Sequence, residues 1–296
     1  MSRTSIGSSV DRVPPVVLVL SAVVSVQFGG ALAATLVPQV GAPGTVALRM
    51  VISALVLWPV VRPRLRGRTA SDWRIVGVYA AALALMNLSF YESLARLPIG
   101  VAVTIEFVGP LVLAAVLSRK GRDLIAVLAA AIGVVLISGA LWTPWSELDL
   151  VGIVFALLAG AMWALYILAG GRTAARFAQL DGLAIALALG SVVLLPLGFA
   201  TAGTTLLEPA ILLKGLGIAM LSSLIAYSLE LLALGRMSAG VFGVLLSLEP
   251  AVAALAGLVV LSQTLSPIQL VGMSLVVLAS VTVMSRRRCA EPQDGG

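Results

Sequence analysis

YESLARLPIGVAVTIEFVGP, residues 91–110, and LLALGRMSAGVFGVLLSLEP, residues 231–250, are two copies of one pattern set 140 residues apart. Leu94/Leu234, Arg96/Arg236, Gly100/Gly240, Val101/Val241 and Pro110/Pro250 coincide, five identities in twenty aligned positions. That identity is modest, and the shared layout strengthens it. Each copy reads as the end of one helix, an Arg-containing turn, a Gly, and a second helix interrupted by Pro. A chain built from two such units keeps its binding site, as a rule, between them.

The surrounding sequence says what medium these helices occupy. Sixty percent of the 296 residues are apolar and 11% are charged, with a mean hydropathy of +1.11. A soluble helix carries one apolar stripe, whereas these segments are apolar on every face for about 20 residues, the length that crosses a bilayer. Ten such segments lie near 14–37, 44–61, 75–95, 99–117, 124–142, 150–168, 183–201, 210–234, 239–261 and 267–285. The connections are short and no linker separates them, so residues 1–296 read as a single all-α integral membrane domain. It has ten transmembrane helices in two five-helix repeats, 14–142 and 150–285.

Charge sets the orientation. With the N-terminus on the cytoplasmic side, sixteen of the nineteen basic residues fall in inner segments, among them Arg62, Arg64, Arg66, Arg68, Arg74 and Arg286 to Arg288. Only Arg49, Arg96 and Lys214 lie in or near the outer half. By the positive-inside rule both ends are then cytoplasmic. Because five is odd, the second repeat enters the membrane inverted relative to the first, an arrangement common in secondary transporters. Arg12, an apolar run and Ala31-Leu32-Ala33 also resemble a cleavable leader. The apolar run continues through Val37, which favours a retained first span.

Charged groups at mid-membrane cost roughly 2.5–3.5 kcal/mol on insertion scales, so each needs a reason. Glu106 lies about 10 Å below the outer edge and Glu249 about 15 Å deep, at about 1.5 Å per residue. Both read as functional or as paired carboxyls that lock helices together. Arg49 and Glu230 sit nearer their helix ends; Arg49 divides evenly between a functional and a snorkelling role, Glu230 divides evenly between a functional and a structural one, and Glu92 reads as a rim residue. Asn87 and Tyr91 share a face of span 3, Ser223, Tyr227 and Glu230 one stripe of span 8, and Trp163 and Tyr166 a face of span 6. At the 140-residue offset Asn87 is the counterpart of Tyr227. Gln27, Gly29 and Gly30 form a small-residue patch suited to close helix contact. Pro110 and Pro250 kink their helices, stranding the carbonyls of Glu106 and Leu246. Broken backbone at that depth is buried or lines a cavity, and the nearby carboxyls favour a cavity.

The composition also excludes chemistries. There is no histidine, which removes the commonest general base and the usual zinc ligand. The single cysteine, Cys289, sits in the polar tail and permits no intrachain disulfide. No metal, cofactor or nucleic-acid partner is expected, and no enzyme; the net charge of +6 belongs to the inner loops. The oligomeric state is not legible.

GAPGTVALR at 41–49, NLSFYESLARLPIGVAVTIEFVGP at 87–110, WALYILAGGR at 163–172, YSLELLAL at 227–234, LLSLEPAVAALAG at 245–257 and LSPIQLVG at 265–272 carry a likeness to known proteins. Over nearly its full length the chain resembles the drug/metabolite transporter superfamily with tandem EamA-type halves. Within it, the resemblance is closest to the inner-membrane threonine/homoserine exporters. It implies proton-coupled efflux of small hydrophilic amino acids from a bacterial cell, with Arg49, Glu106, Tyr227, Glu230 and Glu249 at polar positions of that subgroup. Glu92 falls where the resemblance leads one to expect an apolar residue. Gln263 stands where many members carry a Glu.

The residues themselves fit a zwitterionic substrate. Arg49 offers a fork to a carboxylate, Glu106 or Glu249 an anion to an ammonium group, and Asn87, Tyr91, Ser223 and Tyr227 neutral hydrogen bonds. A carboxyl group in a dry span costs least when a proton or a bound cation cancels its charge. Glu106, then Glu249, is therefore the expected proton coupler. An importer or facilitated exchanger of another small metabolite is the alternative.

Overall fold

The backbone leaves helical geometry at one residue in the first 47 of its ordered helix: Gly41, at φ 71 and ψ 173. A positive φ is open to Gly because it lacks a Cβ, and Pro38 and Pro43 flank the break. The consequence is large. Ser25 and Ser53 would lie about 42 Å apart along one straight helix, yet their hydroxyls bond the carbonyls of Leu221 and Ala219, two residues apart. The chain therefore doubles back at Gly41. The segment Pro15–Val61, α1, is a hairpin of two limbs rather than one rod.

This computed structural model describes residues 13–117, 121–144, 148–178, 180–252 and 266–288. Cys289, Gln263, Lys120, Glu147, Arg3, Arg12, Arg119 and residues 253–261 of the ninth expected span lie outside them. After α1 come α2 (Ala70–Leu94), α3 (Ile99–Leu117), α4 (Gly121–Ser138), α5 (Leu150–Arg176), α6 (Asp181–Ala202), α7 (Pro209–Ile218), a π-helical turn (Ala219–Ile225), α8 (Ala226–Leu234), α9 (Ala239–Leu246) and α10 (Pro267–Arg288). No strand occurs among the described residues. Among the described residues, five helices are long and apolar enough to cross a membrane: Thr35–Val61, Ala70–Leu94, Leu150–Arg176, Asp181–Leu207 and Pro209–Leu234. Five shorter apolar helices accompany them.

Local sequence explains several helix ends. Thr69 and Asp72 cap α2 reciprocally: the Thr69 N–H donates to Asp72 Oδ2 at 3.0 Å and the Asp72 N–H to Thr69 Oγ1 at 3.2 Å. Ser266 and Gln269 do the same for α10 at 3.0 and 3.4 Å, and each pair satisfies two donors that a helix start leaves open. Asp149 accepts the Gly152 N–H at 2.9 Å ahead of α5.

The two repeated stretches share backbone geometry as well as residues. Ala95, Arg96, Leu97 and Ala102 donate to the carbonyls of Tyr91, Ser93, Ser93 and Pro98 at 3.1, 3.0, 2.9 and 3.1 Å. At the same offset of 140, Gly235, Arg236, Met237 and Phe242 donate to Leu231, Ala233, Ala233 and Ser238 at 3.1, 2.9, 3.0 and 3.0 Å. Their prolines act differently. The helix α3 continues through Pro110, whereas α9 ends at Leu246, before Pro250. There Ser247 and Leu248 bond three residues back, to Val244 and Leu245.

Two compact units make up the chain, Met1–Ala84 with Leu168–Met237 and Leu85–Ile167 with Ser238–Gly296. Neither coincides with a sequence half, because packing partners need not come from the same repeat. In the first unit the second limb of α1 packs on α6, where a Cβ on Gly198 would meet Ala47 and one on Gly190 would meet Met50. At one end of this unit Asp181 accepts the Arg64 N–H at 3.2 Å and pairs with Arg68 at 3.4 Å, while Arg176 pairs with Asp72 at 3.4 Å. The Arg68 guanidinium lies 4.3 Å from the centre of the Phe177 ring. In the second unit α4 and α10 meet at Gly133 and Gly272, whose Cβ positions would each fall under 3 Å from the other's carbonyl oxygen. Leu55, Val192 and Leu213 in the first unit, and Val116, Ile125 and Leu150 in the second, stand exposed, as side chains facing lipid do.

Candidate functional site

The π-helical turn is the feature around which polar groups gather. A π turn closes i→i+5 bonds, and such turns concentrate at functional positions in helices. Four of its carbonyls or those just before it accept side-chain donors. Ile218 accepts from Ser222 Oγ at 2.7 Å, Ala219 from Ser53 Oγ at 3.2 Å, Leu221 from Ser25 Oγ at 2.5 Å and Ser222 from Arg49 Nη2 at 2.7 Å. Donors from both limbs of α1 thus hold one turn. The first limb approaches closely because residue 29 is Gly: a Cβ there would come within 2.5 Å of Ser222 Cβ.

Arg49 occupies the centre of this arrangement at 5% exposure. Its Nε donates to Ser223 Oγ at 2.8 Å, and Nη2 donates both to the Ser222 carbonyl and to the Tyr227 hydroxyl, the latter at 3.0 Å. The guanidinium carbon lies 5.6 Å from the Tyr227 ring centre. Burying this charge costs roughly 2.5–3.5 kcal/mol on insertion scales. Hydrogen bonds from a charged donor contribute roughly 1.5–3 kcal/mol each, so three offset that cost. Arg49 is therefore a built-in group and does not snorkel. Of its five donors, the Nε hydrogen and both Nη2 hydrogens serve these three bonds. The sequence suggested a fork open to a carboxylate and independent hydroxyls on Ser223 and Tyr227. In the structure those hydroxyls hold the fork itself.

Glu230, one helical face along from Ser223 and Tyr227, is buried in the same unit. The other site candidates belong to the second unit, each buried except Glu249, which is half-buried. Asn87 and Tyr91 share a face of α2, with the Tyr91 ring edge-on to Phe90 at 6.0 Å. Trp163 on α5 stands edge-on to Phe107 of α3 at 4.9 Å, and Tyr166 is fully buried one turn on. Glu106 is 7% exposed, and among the described residues no ion pair reaches it. Its backbone carbonyl, deprived of a partner by Pro110, lies against Gly160 of α5. Of the two settings open to that carbonyl, helix packing is the one observed. Glu92, at the end of α2, pairs with Arg96, whose guanidinium lies 5.1 Å from the Phe155 ring centre.

Sequence reasoning missed Ser25, Ser53 and Ser222 and the π turn itself. Span 8 reads as a regular helix because Ser223, Tyr227 and Glu230 fall on one stripe at α-helical spacing. The Ser222-Ser223 doublet and the Gly29-Gly30 pair were the available signal; of these, Gly29 lies against Ser222, while Gly30 has nothing within 4 Å of a Cβ position.

Comparisons with known proteins agree with this architecture. Residues 150–285 match the model of the EamA-like transporter family. The chain is 39% identical over 268 residues to the threonine/homoserine exporter RhtA of Escherichia coli (strain K12), 90% of each chain. Against RhtA of Salmonella typhimurium (strain SL1344) it is 39% identical over 281 residues, 94% of each chain. A solved crystal structure of a protein superposes with a TM-score of 0.72 over 92% of this chain and 99% of that chain. At 18% identity that likeness speaks for the fold alone.

Proposed function

The chain belongs to the EamA-like transporter family, and from that premise we propose that it exports threonine, homoserine and similar small hydrophilic amino acids across a bacterial inner membrane in exchange for protons. The observation that carries this reading is the 39% identity to threonine/homoserine exporters along nine-tenths of both chains. The buried, hydrogen-bonded Arg49 supports it chemically. An amino acid brings a carboxylate, and a guanidinium held in place is its natural partner. With both Nη2 hydrogens in use, a carboxylate engages that nitrogen by replacing the Tyr227 hydroxyl.

Ten spans in two inverted five-helix repeats, 14–142 and 150–285, are the proposed topology, with both ends cytoplasmic. The four backbone hydrogen bonds that recur at an offset of 140 support the duplication, and the charge bias of the loops supports the orientation. Glu106, buried without an ion pair among the described residues, is the proposed proton carrier, and Glu249 is second in line.

The test is transport in proteoliposomes. Labelled threonine, homoserine and a panel of other amino acids are followed with and without an imposed proton gradient. Gradient-driven movement of threonine and homoserine supports the reading. Movement of other metabolites alone, or movement indifferent to the gradient, overturns the substrate or the coupling respectively.

A further inference from the structure

We propose that Ser25 and Ser53 are positioning residues for Arg49, acting through the π turn Ala219–Ile225. This inference rests on the reading of Arg49 as the group that meets the substrate carboxylate. Neither serine lies on the polar stripe that contains Ser223 and Tyr227, and neither hydroxyl is spent on Arg49. Each instead holds a carbonyl of the turn: Ser53 that of Ala219 at 3.2 Å, and Ser25 that of Leu221. Immediately after them the Ser222 carbonyl accepts from Arg49 Nη2, and the Ser223 hydroxyl accepts from Arg49 Nε. All five residues are buried, Ser53 and Ser223 completely, so water does not substitute for a lost hydroxyl.

The physical argument concerns register. A π turn carries one residue more than the α-helix would at the same height. If the turn relaxes to α geometry, every side chain and carbonyl beyond the change rotates by about 100° relative to those before it. Ser222, Ser223 and Tyr227, the three residues that orient the Arg49 guanidinium, would then no longer converge on it. Donors from opposite limbs of α1 pin the turn at two carbonyls and oppose that relaxation. Gly29 admits the first limb to this contact, since a Cβ there would collide with Ser222.

Export of labelled threonine is measured in proteoliposomes with the full-length protein, Ser53→Ala, Ser25→Ala with Ser53→Ala, Ser53→Thr, and Arg49→Lys, with a thermal midpoint for each. The double variant is expected to raise KM about tenfold, the scale of one misaligned charge-assisted hydrogen bond, with maximal rate within about twofold. Ser53→Thr, which keeps the hydroxyl, restores the KM of the parent. Ser53→Ala alone gives a smaller rise in the same direction and serves if the double variant does not fold. A raised KM in Arg49→Lys with an unchanged KM in the serine variants overturns this inference alone. An unchanged KM in Arg49→Lys overturns the reading of Arg49, and this inference with it. Equal loss of maximal rate and thermal midpoint, without a KM change or rescue by threonine, assigns the serines a structural role only and also overturns it.

Discussion

Gly160 of α5 lies against the backbone of Glu106 in α3, so closely that a Cβ on it would sit 2.5 Å from the Glu106 carbonyl oxygen. The same crossing leaves no room for a Cβ on Gly109, which would collide with the Gly160 carbonyl. Two helices here meet backbone to backbone, and the obstacle is main chain, which cannot rotate away. Gly160→Ala is therefore expected to separate the helices at a cost of about 1–3 kcal/mol, the usual range for overpacking. A thermal midpoint in detergent lower than that of the parent protein would show it; an unchanged midpoint would contradict the crossing.

Replacement of Glu106 by Gln keeps the shape and removes the exchangeable charge. Assembly and thermal midpoint are expected to remain close to the parent, because no ion pair among the described residues depends on the carboxylate. Threonine movement driven by a pH gradient is expected to vanish while downhill exchange persists. Efflux that still responds to the gradient would remove Glu106 as the proton carrier.

Arg49→Ala tests the buried charge and its holders together. It leaves the Ser222 carbonyl, Ser223 and Tyr227 without the donor they share, at about 1–3 kcal/mol for a buried group left unsatisfied. Loss of threonine transport together with a reduced midpoint is the expected result. Arg49→Lys keeps the charge and loses the planar fork; it is expected to impair threonine recognition more than stability. Competition between threonine and its amide, which lacks the carboxylate, separates the two effects.

The ion pairs of the chain differ in worth. Asp181 accepts from both the Arg64 N–H and Arg68, and the Arg68 and Asp181 side chains are only 16% and 10% exposed. Arg96 and Glu92 are 34% and 21% exposed and are spaced i, i+4 on one helix end. Asp181→Asn is expected to lower the thermal midpoint measurably, because it weakens two interactions in a shielded place. Glu92→Gln is expected to change stability by about 0.5 kcal/mol or less, the scale of exposed pairs. Equal effects from the two substitutions would show that shielding does not decide their strength.

Much of the architecture could be read directly. Apolar runs such as those of α2, α5 and α6 declare membrane-length helices because their signal is local and one-dimensional. The repeat also survives in the sequence, since Gly100/Gly240 and Arg96/Arg236 recur in one order, and turns with the same hydrogen bonds followed. Arg49, Glu106 and Tyr227 stood out because a polar group in an apolar span is conspicuous. Ser25 and Ser53 did not, because a lone serine in a membrane helix closes its hydrogen bond within its own turn as readily as across to another helix.

What the order of residues determined, then, was which segments are helical, how long they are and where charge interrupts them, since each of these follows from neighbours along the chain. The separation of the first two spans, 14–37 and 44–61, was legible too, and Gly41 is where the chain turns between them. Tertiary structure alone decided that residues 219–225 widen into a π turn and that Arg49 meets a carbonyl 173 positions away. Those outcomes depend on which backbone donors and acceptors come within 3 Å of each other once the helices pack, and glycines such as Gly29 set how near that approach can be.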